Sequence, residues 1–404
     1  MKSPSRSPSP SSPGSKSKTG RAVDVELPGG LDERAQAQMV SELCSWFAEQ
    51  RRDLPWRRNR DPYSIWISEA MLQQTRVETV LDYHRRFLER LPSIQHLAEA
   101  PEEEVLALWS GLGYYRRARS LHAAAKLLVE RHAGEIPPER SAFLELPGVG
   151  PYTAGAVLSI AFQASEALVD GNVGRVFSRL FGLRGEISAG PTQRQLWSLA
   201  RALVPASVSL AEGQTAPRIC PGNWNQALME LGALVCKPQA PDCEACPLQE
   251  RCVAKRDGLT EVLPEKRKQP ASLEVSIEVL WLEVRGRCLL RQRPAGGRMA
   301  GLWELPTREL PTRELGAAGP ESHGLWPLEW ELGALGEHLE LQGALHKLSH
   351  AITKHRIRGQ LLAGACKGAA RLPEKSGLRW ANAEQCAALG LTGLTRKCLA
   401  RMDF

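Results

Sequence analysis

Residues 144–157 read Leu-Glu-Leu-Pro-Gly-Val-Gly-Pro-Tyr-Thr-Ala-Gly-Ala-Val. A helix is expected to end near Leu144 and a second to begin near Tyr152 or Thr153, with a Gly-rich turn between them. Gly148 and Gly150 permit tight backbone conformations. They also bare the amides of Gly148, Val149 and Gly150 ahead of a helix N-terminus, an arrangement suited to a DNA phosphate. The apolar-Pro-Gly-x-Gly frame between two helices favours a helix–hairpin–helix DNA-binding element over a plain helix–helix turn.

Outward from this hairpin, the chain reads as helical from Leu31 to about Gly258. Leu43, Trp46 and Phe47 fall at helix spacing, as do Ile65, Ala70 and Leu72 to Val80, then Val105, Leu108, Trp109 and Leu112. Leu121–Val129 and Ala154–Phe162 predict further helices. Pro92, Pro101, Gly111, Gly113 and Pro137-Pro138 punctuate the run. Residues 1–30 are expected to be a disordered tail, since residues 1–22 are mostly Ser, Pro, Gly and basic side chains. Its Ser-Pro pairs suit phosphate acceptance. Residues 259–272 read as a linker, in which Lys266-Arg-Lys268 is a weak import-type patch. From Leu273 the period changes: Leu273, Val275, Ile277, Val279 and Trp281 alternate as in a strand. Cys288–Leu290, Leu339–Leu345 and Ile357–Leu362 predict more strands, and Trp380–Leu389 and Leu391–Leu399 predict helices. Residues 273–404 are therefore an α+β domain. The tandem Pro-Thr-Arg-Glu-Leu at 306–310 and 311–315 reads as a loop duplication.

The 404 residues suffice for two or three domains, and the absence of an 18-residue apolar run excludes a membrane-spanning helix. No apolar leader segment is visible, so secretion is not expected. The net charge of +7 invites a nucleic-acid reading. Its distribution does not support one, because residues 23–270 hold 29 basic and 31 acidic side chains. DNA binding has to be argued from local features.

One such feature is a set of four cysteines, Cys236, Cys243, Cys246 and Cys252, spaced C-x6-C-x2-C-x5-C. Zinc ribbons bring two C-x2-C pairs together. A single C-x2-C with two flanking cysteines suits a [4Fe–4S] cluster better, with zinc as the alternative. Four thiolates leave no position open for substrate, so a structural or DNA-positioning role is expected ahead of redox sensing. Arg251, Lys255 and Arg256 lie beside the set.

The hairpin, the Val-Asp-Gly-Asn-Val-Gly-Arg-Val at 169–176 and the cysteine loop, in this order, resemble the helix–hairpin–helix DNA glycosylases that carry an iron–sulfur loop. Trp-Ile-Ser-Glu-Ala-Met-Leu-Gln-Gln-Thr-Arg-Val-Glu-Thr-Val (66–80) and Leu-Trp-Ser-Gly-Leu-Gly-Tyr-Tyr-Arg-Arg-Ala-Arg (108–119) narrow the resemblance to the adenine DNA glycosylase, MutY-like, branch. It implies an all-α helix–hairpin–helix glycosylase core at 31–258. It also implies removal of adenine mispaired with 8-oxoguanine or guanine in duplex DNA, by base flipping. Glu69 then matches the general acid at adenine N7; its apolar neighbours would raise its pKa. Asp170 matches the stabiliser of an oxocarbenium sugar. Tyr152 and Asn172 match residues beside that sugar, and Arg57 and Gln226 match residues lining the adenine pocket. Relatives that also cut the strand carry lysine where this chain has Tyr152, so a monofunctional enzyme that leaves an abasic site is expected. Gln74 matches an intercalating wedge, and Leu112 and Tyr114 match residues at 8-oxoguanine. From the aromatics alone, core packing of Tyr114-Tyr115 is the alternative.

Gly-Arg-Met-Ala-Gly-Leu-Trp-Glu-Leu-Pro (297–306) resembles a Nudix (MutT-like) domain, but no R-E-x-x-E-E run follows, so 8-oxoguanine recognition rather than hydrolysis is expected. Leu348, Ser349 and His350 match a family triplet that probes the lesion, with Leu in place of an aromatic. Cys220 matches a cysteine that in animal relatives joins a linker zinc site; the linker here has no cysteine. The resemblance further implies a monomer in the nucleus and also the mitochondrion, in contact with downstream repair and replication proteins. Two readings compete: a non-enzymatic iron–sulfur DNA-binding or redox protein, which would not need the Glu69 and Asp170 pair, and a bifunctional pyrimidine-lesion glycosylase, which Tyr152 argues against.

Overall fold

The computed structural model describes residues 32–209, 219–266, 271–294, 296, 298–311, 326–327, 329–366, 372 and 377–404. The amino-terminal tail, part of the linker including positions 267 and 268, and the second copy of the tandem repeat beyond Pro311 lie outside the described residues.

Among these residues the first unit is helical: α1 (Glu33–Gln50), α2 (Pro62–Leu72), α3 (Val77–Arg90), α4 (Ile94–Glu99), α5 (Glu102–Leu108), α6 (Arg116–His132), α7 (Arg140–Leu144), α8 (Pro151–Phe162), α9 (Gly171–Leu180), α10 (Gly190–Ser209), α11 (Pro221–Leu234) and α12 (Val253–Arg256). Asp61 starts α2 by accepting the amides of Tyr63 and Ser64, and Pro62 fits the first turn. Tyr63 through Met71 are buried, so α2 runs through the core rather than along its surface. The helical periodicity read across Leu72–Val80 is interrupted. The chain leaves the helix at Gln73, and Gln74 takes a left-handed φ of 59° before α3 begins at Val77.

Helix α8 is also almost wholly buried and packs against α2 and α11. Gly155 makes its approach to the segment before α9 possible, because a Cβ there would collide with the Ala167 carbonyl. Asp170 caps α9 by accepting the Val173 amide. In the hairpin Gly148 has φ 80°, and a Cβ would lie 2.5 Å from Ser120 Cβ. Gly150, expected to share that freedom, has an ordinary φ of −103° and open space where a Cβ would go.

The second unit is a mixed sheet of β1 (Leu273–Val284), β2 (Arg287–Gln292), β3 (Trp303–Glu304), β4 (Thr307–Glu309), β5 (Leu339–Ile352), β6 (His355–Cys366) and β7 (Leu378–Ala381), with helices α13 (Ala383–Ala387) and α14 (Gly393–Arg401). The main order is β3-β2-β1-β6-β5, with β4 beside β1 and β7 beside β2. β1 and β6 are parallel; the other paired strands are antiparallel. The alternation read from Leu273 is accurate at first and then gives way to continuous burial at Val279–Leu282. Val275, Ile277, Val279 and Trp281 enter one core cluster and Leu280 and Leu282 another, so both faces of β1 are covered. Two expectations are corrected. Trp380 and Ala381 are strand, not helix, because β7 pairs with β2 through Leu289 and Trp380. The first copy of the tandem repeat is not a loop, since Thr307–Glu309 pairs with Ile277–Val279.

The two units share packing. Leu302 belongs to the helical core, and Leu391 O accepts hydrogen bonds from Ser110 Oγ and Tyr115 Oη, both at 3.1 Å. Glu103 accepts from Trp303 Nε1 at 3.1 Å and pairs with Arg379 at 3.3 Å. Since α8 carries Tyr152 and the segment it touches leads into Asp170, Gly155→Ala is expected to destabilise the protein by about 2 kcal/mol or more through overpacking; urea denaturation measures it.

Candidate active site

A cavity of about 380 Å³ opens between α2, α8, the start of α9 and α11. Its lining includes Arg57, Glu69, Tyr152, Asp170, Asn172 and Gln226, six residues singled out from the sequence. Glu69 is 4% exposed. Its Oε2 accepts from Tyr152 Oη at 2.5 Å, and Met229 Sδ lies 3.5 Å from the same hydroxyl. Burial pushes the Glu69 carboxyl up to about 7; the nearby Asp170 adds to the rise, while the Tyr152 hydrogen bond and Arg57 oppose it. Tyr152 is raised well above its usual range by burial and by the two carboxyls, so it stays a neutral donor. Asp170 sits at the amino end of α9, where Oδ1 accepts from Val173 N at 2.7 Å and Oδ2 from Asn172 Nδ2 at 2.9 Å. Burial raises its pKa, against the pull of those two donors and of Arg175.

Glu230 was not found from the sequence. It is buried on α11, and both of its oxygens accept from Arg52 and Arg57 at 2.7–3.0 Å. Burial alone would raise its pKa, but the two guanidiniums bring it down to about 2. Gln226, Met229, Glu230 and Ala233 all line the cavity at helical spacing, so extending the face of α11 from Gln226 was the available signal.

A second cavity of about 280 Å³ adjoins the hairpin and is lined by Gln74, Tyr114, Arg116, Arg117, Ser120 and Gly148 among others. Tyr114 is 50% exposed with φ 47°, so it is a surface aromatic rather than core, whereas Leu112 is buried beneath the same turn. In the hairpin, the Val149 amide is not free for a phosphate, since it donates to Leu146 O at 3.1 Å. The amides of Tyr152 and Thr153 precede the first intrahelical bond of α8, from Ala154 to Gly150. A third cavity, about 1150 Å³, lies between the units and is lined by Gly113, Tyr114, Arg116, Arg119, Met299 and His350 among others. His350 reaches it. Ser349 is exposed on β5, while Leu348, at 5% exposure, packs into the core of the second unit. The triplet is strand, and alternation turns Leu348 inward.

Cys236, Cys243, Cys246 and Cys252 line one small apolar cavity with Arg179 and Lys255. Among the described residues no three His, Cys, Asp or Glu side chains are spaced for a single metal ion. Burial, with the neighbouring thiols adding to it, pushes Cys246 up to about 12; a bound cationic centre would hold these sulfurs as thiolates. Buried Arg179 donates to Cys236 Sγ at 3.4 Å and to Lys237 O at 2.7 Å. Arg175 joins Cys236 O and Gly232 O to Asn172 Oδ1.

A family model described as an HhH-GPD superfamily base excision DNA repair protein matches residues 67–202, and a NUDIX domain model matches residues 278–401. The human adenine DNA glycosylase is 35% identical over 401 residues, covering 85% of this chain and 70% of that protein. The adenine DNA glycosylase of Rattus norvegicus is 34% identical over 396 residues, covering 84% and 73%. That of Schizosaccharomyces pombe is 36% identical over 329 residues, covering 66% and 68%.

The chain belongs to the adenine DNA glycosylase family. It is a DNA N-glycosylase of base-excision repair that removes adenine. Glycosylases of this helix–hairpin–helix type generally carry a [4Fe–4S] cluster. For the glycosylase's Glu230, replacement by Gln leaves Arg52 and Arg57 without their carboxylate. Glu230→Gln is expected to cost about 3 kcal/mol of stability, read by urea denaturation.

Proposed function

We propose that the glycosylase releases adenine opposite 8-oxoguanine with Glu69 as general acid and Asp170 as the charge that stabilises the oxocarbenium sugar. The observation that carries this reading is a buried carboxyl, poised near neutral pH, in one cavity with a second carboxyl held by a helix amino end. Two carboxyls in unlike surroundings suit an acid and an anion. Glu69 gives its proton to adenine N7 as the C1′–N9 bond breaks. Asp170 faces the positive charge that develops at C1′. Water adds there and its proton returns to Glu69, leaving an abasic site. Tyr152 orients the acid through its hydroxyl. A phenol cannot form the Schiff base that strand cleavage by an amine requires, so the enzyme is monofunctional. Arg57, Asn172 and Gln226 complete the pocket wall.

The base opposite adenine is read at the cavity between the units, with Tyr114 and His350 on its walls and Gln74 as the wedge. Its size and its aromatic and cationic lining support this assignment. The four cysteines suit a [4Fe–4S] cluster, whose chemistry when bound is to cross-link the loop and set its cations beside DNA. The chain's own Arg179 supports Cys236 from behind. The enzyme works on nuclear DNA, and also on mitochondrial DNA, as a monomer alongside later repair and replication proteins.

Single-turnover release of adenine from a duplex holding adenine opposite 8-oxoguanine tests the mechanism. Glu69→Gln and Asp170→Asn should each lose roughly 100-fold or more. Full activity in either variant sinks the assignment. Since Glu69 must be protonated to act, the wild-type rate should fall as pH rises above about 7. Metal analysis should find about four irons and four sulfides per chain, lost in Cys246→Ser; zinc without iron would refute the cluster.

A further inference from the structure

Arg117 stands between the end of α2 and the turn that precedes α6. Its Nη1 donates to Ala70 O at 2.8 Å, Met71 O at 2.9 Å and Gln73 O at 2.6 Å. Its Nη2 donates to Leu112 O at 3.3 Å, Gly113 O at 3.2 Å and Thr75 Oγ1 at 3.4 Å. The last carbonyls of a helix have no partner within it, and here one guanidinium takes them up. The same group lies over the rings of Trp109 and Tyr114, 5.3 and 5.6 Å from their centroids. No carboxylate pairs with it among the described residues, and burial pulls its pKa down to about 10. The guanidinium is thus turned to the protein's own carbonyls.

The segments it joins are both under backbone constraint. Gln74 at φ 59° and Tyr114 at φ 47° occupy the left-handed region without being glycine. Such conformations persist where the surroundings over-determine them, and Arg117 touches the chain directly before or after each. One segment carries the wedge Gln74 and continues from the helix that bears Glu69. The other carries Leu112 and Tyr114.

We propose that Arg117 is a positioning residue that couples the turn reading the opposite base to the wedge on the adenine side, so that removal of adenine depends on what that turn meets. The proposal rests on the reading of Leu112 and Tyr114 given above. Displacing one segment shifts a guanidinium shared with the other, and the planar fork transmits the shift to three carbonyls at once. An ammonium is compact and has no flat face to stack on Trp109 and Tyr114, so lysine keeps the charge but not the link.

Single-turnover adenine release is measured for wild type and Arg117→Lys on duplexes with adenine opposite 8-oxoguanine and opposite guanine, with thermal unfolding as the check on folding. Coupling predicts that the variant retains most of the rate opposite guanine and loses roughly tenfold of its preference for 8-oxoguanine. Equal losses on both duplexes, with the preference intact, overturn the coupling alone. A wild type with no preference overturns the opposite-base reading and this proposal with it. Should Arg117→Lys fail to fold, a double-mutant cycle of Gln74→Ala and Tyr114→Ala decides. The coupling requires their effects on the preference to depart from multiplication by severalfold. Independent effects overturn it.

Discussion

The hydrogen bond from Tyr152 to Glu69 joins two helices whose residues are 83 positions apart, and the carboxyl it reaches is buried in the helical unit. A carboxyl enclosed by Ile65, Trp66, Ile67, Ala70 and Met71 is costly to ionise, which is what keeps its proton available near neutral pH. That cost is carried by the core on either side. Asp61 fixes where α2 starts, Gly155 lets α8 close on the segment leading to Asp170, and the phenol of Tyr152 donates to the acid from α8.

Three acids of one pocket wall are separated by surroundings rather than by type. Glu69 is buried among apolar neighbours, and that burial raises its pKa against the opposing pull of one neutral donor and of Arg57. Glu230, equally buried, faces two guanidiniums and is held as a carboxylate at about 2. Asp170 lies between these cases, with burial working against a helix amino end and the Asn172 amide. Glu230 also ties up much of the charge of Arg57, so that residue faces the pocket as part of an ion pair rather than as a free cation.

Much of this was legible from local pattern. Motifs that require a particular backbone, such as the hairpin glycine at 148, or a particular side chain beside a turn, such as Asp170 before Gly171, announce themselves in a single stretch. Glu69 was harder: a lone acid in an apolar run is ordinarily a solvated position, and only the resemblance overturned that expectation. Glu230, and the packing role of Arg117, were not legible because they arise from partners 178 and 47 residues away in sequence. Leu348 was misplaced for a different reason. A matched triplet carries no information about strand phase, and a one-residue difference in phase decides whether a side chain faces the core or the cavity. The break at Gln73–Arg76 was hidden because apolar residues continue at helical spacing across it.

The second unit contributes to the cavity between the units in two ways. His350 and Met299 line it directly. Less directly, the unit holds the turn at Ser110–Tyr114 through backbone atoms: Leu391 O accepts from Ser110 and Tyr115, and Arg396 donates to Ser110 O. Tyr83 donates to that same carbonyl from α3. A turn with Gly111 at φ 109° and Gly113 at φ 71° has little preference of its own, so its shape is set by what grips it on both sides. The exposed side chain there, Tyr114, therefore depends on contacts from two domains, and a change at Arg396 would reach it through the Ser110 carbonyl.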